Sequence, residues 1–231
     1  MNTYRVIDII NFPELKNGEV KNSAIALTME GFTENTITTL KLVSENYYGY
    51  EYYEFYHEIL IRDSGIAYGF YEGKPIKLDF QGFKKGYTVK AYLNREDNFL
   101  LLTQSSVVVA DLLKKLRVDK AMKCNFSEIC IELKDASKYV TQFSGAWFKA
   151  VSSRVSSSAL FGADLKNEPL FDQLQNEGAS LTSITIPFGA ISIQLNSESG
   201  ISSHTRINNI EDELNLILKV KTDLIDNLRK Q

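Results

Sequence analysis

The stretch from Tyr47 to Tyr71 constrains the fold more than any other, because it holds eight of the chain's twelve tyrosines. It opens Tyr-Tyr-Gly-Tyr-Glu-Tyr-Tyr-Glu-Phe-Tyr-His, passes through an apolar segment and closes on Tyr68, Phe70 and Tyr71. At period two, Tyr48, Tyr50, Tyr52 and Tyr56 share one face, interrupted by Glu54, while Tyr47, Tyr53, Phe55 and His57 share the other. At period 3.6, Tyr48, Tyr52, Phe55, Tyr56 and Ile59 make a helical stripe. The strand is the better reading: aromatic residues favour sheets, Gly49 is poor in a helix, and the segment Glu58-Ile-Leu-Ile-Arg-Asp-Ser-Gly runs into turn residues. Tyrosine on both faces leaves rings near solvent. One reading is a recognition surface, since tyrosine combines large contact area with a hydroxyl and can stack on a base or fill a partner's pocket. The other is a wide sheet whose tyrosines pack with the hydroxyl at the rim.

Further strands are predicted over Thr3 to Asn11, Thr36 to Val43, Ile66 to Tyr71, Ile76 to Phe80, Tyr87 to Leu93 and Phe99 to Thr103. The turn residues Glu72-Gly73-Lys74-Pro75 and Gly82-Phe83-Lys84-Lys85-Gly86 imply an antiparallel meander. Asn22 to Glu30 fits strand or helix. Asp8 interrupts the apolar run of the first strand and reads as solvent-facing. A helix is predicted over Val107 to Leu116, capped by Ser105 or Ser106. Strands follow at Ser127 to Leu133, Phe143 to Val151 and Ala159 to Ala163, then a short helix within Leu165 to Gln175, beginning near Asn167 with Pro169 in its first turn. Leu181 to Pro187, Ala190 to Leu195 and Ile201 to Thr205 are strands before a final helix, Ile210 to Arg229, acidic at its start and basic at its end. Its apolar row is broken by Lys221, and its breadth suits docking on a sheet better than a coiled-coil seam.

The expected class is α+β, mainly antiparallel sheet with a few covering helices. Leu93-Asn94-x-Glu96 and Leu195-Asn196-x-Glu198 lie 102 residues apart, each between two strands and followed by a helix. They outline two similar strand-turn-strand-helix lobes: residues 1–120, β-rich and containing the aromatic stretch 47–71, and residues 121–231, ending in the long amphipathic helix.

The net charge of −3 and pI near 5.6 argue against a protein that coats nucleic acid over its whole surface. A local patch remains: Lys114, Lys115, Arg117, Lys120 and Lys123 fall within ten residues, opposed by Asp119 alone. The same cluster also suits a helix C-terminus running into a solvated loop. Cys124 and Cys130 match no zinc spacing and read as reduced, buried thiols. No apolar run is long enough to cross a bilayer, and the opening residues lack a signal core, so no membrane association and a cytoplasmic location are expected. Few prolines and abundant Lys, Asn, Ile and Ser point to an AT-rich bacterial genome.

The best enzymatic candidate is Glu132-Leu133-Lys134 at the end of a predicted strand. In metal-dependent nucleases an acidic residue, a spacer and a lysine place carboxylate and ammonium on one strand face, with an upstream aspartate, here Asp119 or Asp111, completing a magnesium site. The three-residue pattern is short enough to arise by chance. His57 and His204 are the only histidines, neither near a nucleophile elbow, and no phosphate loop is present. No cofactor or structural metal is expected. The residues therefore point first to a non-catalytic cytoplasmic binding protein. It would take a protein, or a nucleic acid through Lys114, Lys115 and Arg117, on a face built from Tyr48, Tyr50, Tyr52, Tyr53 and Tyr56. A homodimer fits this reading, as does a role in host defence or phage counter-defence. The alternative is a metal-dependent nuclease or phosphodiesterase using Glu132, Lys134 and Asp119.

Overall fold

The structure, a computed structural model, describes residues 3–23 and 36–230. The segment of ambiguous period, 22–30, lies almost wholly outside them. The first half contains β1 (Thr3–Asn11), β2 (Val20–Asn22), β3 (Thr38–Tyr47), β4 (Tyr50–Ile61), β5 (Gly65–Tyr71), β6 (Lys74–Phe80), β7 (Phe83–Asn94), β8 (Phe99–Thr103) and α1 (Ser106–Val118). After it come β9 (Asn125–Glu128), β10 (Gly145–Lys149), β11 (Ser157–Phe161), α2 (Pro169–Asn176), β12 (Ser180–Phe188), β13 (Ile191–Asn196), β14 (Gly200–Ser203) and α3 (Ile210–Val220). The protein is α+β and dominated by antiparallel sheet.

One sheet runs in the order β11-β10-β12-β13-β14-β1-β8-β7-β4-β3-β2, with β9 pairing the far end of β1, while β5 and β6, among the described residues, pair only with each other. Central position explains composition. Phe99, Leu100, Leu101 and Leu102 of β8 are all buried, because Leu100 and Leu102 face one apolar cluster and Phe99 and Leu101 the other. A strand covered on both faces reads as a continuous apolar run rather than an alternating one.

The cover comes from two helical layers. On one face, α1 presents Val108, Val109, Leu112, Leu113 and Leu116 to Leu40, Leu42, Tyr53, Phe55 and Leu100. Those five side chains recur at helical spacing, and each contributes about 1.5–3 kcal/mol on burial. On the other face, α3 and the residues after it set Leu214, Ile217, Val220, Leu224 and Leu228 against Tyr92, Leu101, Ile186, Ile193 and Ile201. Asn209 caps α3 by accepting from the Glu211 N–H at 3.0 Å. The predicted single helix changes geometry at Lys221, which begins a π-helical turn, Lys221–Ile225, before a last turn at Asp226–Leu228. That wide turn lets Lys221 lie buried in the apolar row, with its ammonium 2.8 Å from Asp226 and 4.8 Å from the centre of the Phe99 ring. Asp8, expected to face solvent, is paired to Arg229 at 2.6 Å and ties β1 to the end of this segment.

The two Leu-Asn-x-Glu turns occupy corresponding places. β8 and β14 flank β1 on opposite sides, and each is followed by a helix, on opposite faces of the sheet. In each turn the asparagine accepts from a backbone N–H ahead of it, Asn94 from Asp97 at 2.8 Å and Asn196 from Glu198 at 3.0 Å. Each ends on a left-handed residue, Asn98 or Ser199, whose carbonyl accepts from β1, at Ile9 or Val6. Asn196 also accepts from the Gly200 N–H at 2.8 Å, and a β-carbon on Gly200 would sit 2.3 Å from the Asn196 amide nitrogen. Gly200→Ala should therefore expel the Asn196 side chain, lose both hydrogen bonds and cost about 1–2 kcal/mol, read as a lower urea midpoint at unchanged m-value.

The predicted strand Ser127 to Leu133 is shorter than expected. It ends at Glu128, and Leu133–Lys138 forms a 3-10 helix. The thiols also divide: Cys124 is buried, its pKa pushed up to about 12 by burial, whereas Cys130 is exposed, contrary to expectation.

Candidate docking surface

The aromatic stretch is two hairpins rather than one strand. Tyr47 pairs with Tyr50, and both residues between them have positive φ, 53° at Tyr48 and 84° at Gly49. This two-residue turn is of the kind whose twist matches the flanking strands and for which glycine is favoured. Tyr48 thus belongs to a turn and not to the face shared by Tyr50, Tyr52 and Tyr56.

Most of the remaining rings are structural. Tyr50 is buried on the α3 side, edge-on to Tyr92 and to Phe99 at 6.4 and 6.1 Å. Tyr53 is buried on the α1 side, edge-on to Phe12 at 4.9 Å. Tyr52 is half-buried and stacks on Tyr92, with ring centres 5.1 Å apart. Carboxylates of the same strand, two residues away, receive the hydroxyls: Tyr52 donates to Glu54, Tyr53 to Glu51 at 2.7 Å and Tyr56 to Glu58 at 3.2 Å. Burial first, then these carboxylates, push the Tyr52 and Tyr53 hydroxyls above the usual tyrosine range. The interleaved glutamates of Tyr-x-Glu and Glu-x-Tyr were the sequence signal for this satisfaction. Of the five candidate tyrosines, Tyr48 and Tyr56 alone are exposed.

The basic cluster is likewise divided. Lys115 is buried and donates to the Thr36 carbonyl at 2.8 Å; burial holds its ammonium below the ordinary lysine value, against the pull of Asp119, Asp111 and Glu58. Arg117 is paired to Glu128, which also binds the buried Arg5. Lys114, Lys120 and Lys123 are exposed. The nuclease candidates lie among different partners. Asp119 is buried, accepts from the Ala121 and Met122 N–H groups at 3.0 and 3.4 Å, and receives the Ser23 hydroxyl. Glu132 sits 3.0 Å from the Lys230 ammonium and 3.7 Å from that of Lys134, and the Lys230 bond leads in lowering its pKa. Among the described residues no three His, Cys, Asp or Glu side chains gather as a metal site, and no helix is long and apolar enough to cross a membrane.

One arrangement had no counterpart in the sequence reading. His57, fully buried, meets the Thr38 hydroxyl through Nδ1 at 2.8 Å and the Asp111 carboxylate through Nε2 at 2.9 Å. The order hydroxyl, imidazole, carboxylate is that of a nucleophilic triad, but Thr38 is itself buried, so the row serves to join β3, β4 and α1.

The exposed aromatic surface lies at the other end of the stretch. β5 and β6 continue the β4–β7 ribbon beyond the body of the sheet. Ile66, Tyr68 and Phe70 project from one face, with Pro75 opposite Phe70; Tyr71 and Leu78 project from the other. Tyr68, Phe70 and Tyr71 are 79%, 80% and 66% exposed. At the root, Phe80 lies over Gly65 and edge-on to Phe83 at 6.1 Å, fixing the ribbon where it leaves the sheet. No protein-family model matches the chain, and comparison with curated proteins finds no significant match.

Proposed function

We propose that this is a non-catalytic binding protein that takes a protein partner on the β5–β6 arm, with Tyr68, Phe70 and Tyr71 as its anchors. The observation that carries the reading is their exposure on a ribbon that, among the described residues, pairs with no third strand. A two-stranded ribbon is marginal alone in water, and exposed aromatic rings on both of its faces leave apolar surface for a partner to bury. Aromatic rings presenting about 150–250 Å² each are the usual anchors of protein interfaces. The burial of Lys115 and pairing of Arg117 weaken the case for nucleic acid at the α1 end.

The test is a photo-crosslinking residue placed at position 70, with position 56 as control, in lysate with and without nuclease treatment. Protein adducts at 70 that survive nuclease, and are absent at 56, are expected. Adducts to nucleic acid at 70, or equal labelling at both positions, would overturn the reading. The variant Tyr68→Ser, Tyr71→Ser, carrying the crosslinking residue at position 70, should lose the adduct while unfolding within about 0.5 kcal/mol of the parent, as exposed substitutions do.

A further inference from the structure

Resting on that reading of the arm, we infer that its partner is a second copy of this chain, which receives the arm along the β11 edge of the sheet. At the opposite end of the sheet from β2, β11 pairs, among the described residues, with β10 alone, which leaves its outer row of N–H and C=O groups for another strand. Phe161, at the end of that strand, is 69% exposed, and Leu170 is exposed beside it. Between them lies a shallow recess of about 320 Å³, lined by Leu160, Phe161, Leu165 and Leu170 with Asp164 and Glu168 at its margin.

Charge distinguishes this edge as the complement of the arm. Residues 62–85 carry Arg62, Lys74, Lys77, Lys84 and Lys85 against three acidic residues, a net +2 within a chain of net −3. Residues 161–177 carry Asp164, Glu168, Asp172 and Glu177 against Lys166, a net −3. All four carboxylates are exposed, whereas Lys166 turns inward and donates to the Ser137 carbonyl at 2.7 Å. Apolar rings beside lysines on the arm thus face apolar side chains beside carboxylates at the edge. Opposed potentials of this kind set register and partner choice. The arm's exposed rings supply part of the roughly 800 Å² per partner that a specific interface buries. Because arm and edge are different surfaces, reciprocal exchange closes a two-fold dimer, and the same contact made head to tail grows longer assemblies.

The test is sedimentation of the purified protein from about 1 to 100 µM, a range that spans typical transient and stable association. Masses of two or more copies, rising with concentration and falling with salt, are expected. Phe70→Ser with Tyr71→Ser should return a monomer. Lys74→Glu with Lys77→Glu should weaken association at least tenfold, Asp164→Lys with Glu168→Lys should do the same, and combining the four should restore it. Assembly indifferent to both charge reversals would overturn the placement at β11. A wild-type monomer throughout would overturn self-docking, while specific protein adducts at position 70 would still stand for the docking arm itself, so the two failures read differently.

Discussion

His57→Ala is expected to destabilise the protein by about 3–4 kcal/mol, through the cavity it leaves and the buried Thr38 hydroxyl it strands. Chemical denaturation is the measurement, and a second variant separates the two causes. Adding Thr38→Val removes the stranded hydroxyl and should recover about 1–2 kcal/mol, because deleting both partners of a buried bond costs less than deleting one. A cost under 1 kcal/mol for the single variant would show that the row is not structural. The pH dependence has a definite sign. The His57 hydrogen bond leads in lowering the Asp111 pKa below its ordinary value. A carboxyl lowered in the folded state stabilises above its unfolded value, near 3.9, and loses that contribution as pH falls through the folded one. The gap between wild type and His57→Ala should therefore be widest near neutral pH and narrow below about pH 4.

Tyr50→Ala is expected to cost about 3–5 kcal/mol, since it empties a site bounded by Tyr92 and Phe99. Tyr50→Phe should act in the opposite sense. The Tyr50 hydroxyl is buried without a hydrogen-bond partner among the described residues, and burial first, then Asp97, pushes its pKa up to about 12. Removing that oxygen should leave stability unchanged or raise it by about 1 kcal/mol. Thermal or urea unfolding of both variants distinguishes a core tyrosine from a contact tyrosine. A contact residue would lose little stability on truncation to alanine.

Where local pattern and global position agree, the sequence is legible. Thr3–Asn11 and Phe99–Thr103 are strands with the bounds their apolar runs and flanking turns imply. The segment after Glu128 misleads for a physical reason. Ile129, Ile131 and Leu133 alternate and are all buried, as a strand's residues would be. Their backbone groups nevertheless find partners elsewhere: the Ile131 N–H bonds Ser197 and the Glu132 N–H bonds Leu228. Alternation records burial and is silent on what pairs with the backbone. The tyrosines fail the same way. Which of Tyr50, Tyr52, Tyr53 and Tyr56 reach solvent depends on how far α1 and α3 extend over the sheet, and no local spacing contains that. Lys115 was more accessible to inference, lying three residues after Leu112 and seven after Val108 on the buried side of α1. Strand alternation and a Gly73 turn announced the β5–β6 hairpin, but only the tertiary arrangement leaves it uncovered.

The place of β1 sets the order in which this chain can assemble. Its partner on one side, β8, ends at Thr103, whereas Thr3 pairs on the other side with Ser202. During synthesis the first strand can be zipped from one edge after about a hundred residues, at roughly 5–20 residues per second. Its second edge fills in two stages, the Ile7–Asn11 end with β9 at residues 125–128 and the Thr3–Arg5 end with β14 only after nearly twice the first length. Doubling the loop adds only about 0.6 kcal/mol of closure entropy, so the delay is one of time rather than of equilibrium. Through that interval the half-built sheet presents an open inner edge flanked by Leu100, Leu101 and Leu102. Pairings of such long range place the protein among slowly folding β-rich topologies. The last strand to arrive, β14, therefore seals the middle of the sheet rather than its margin.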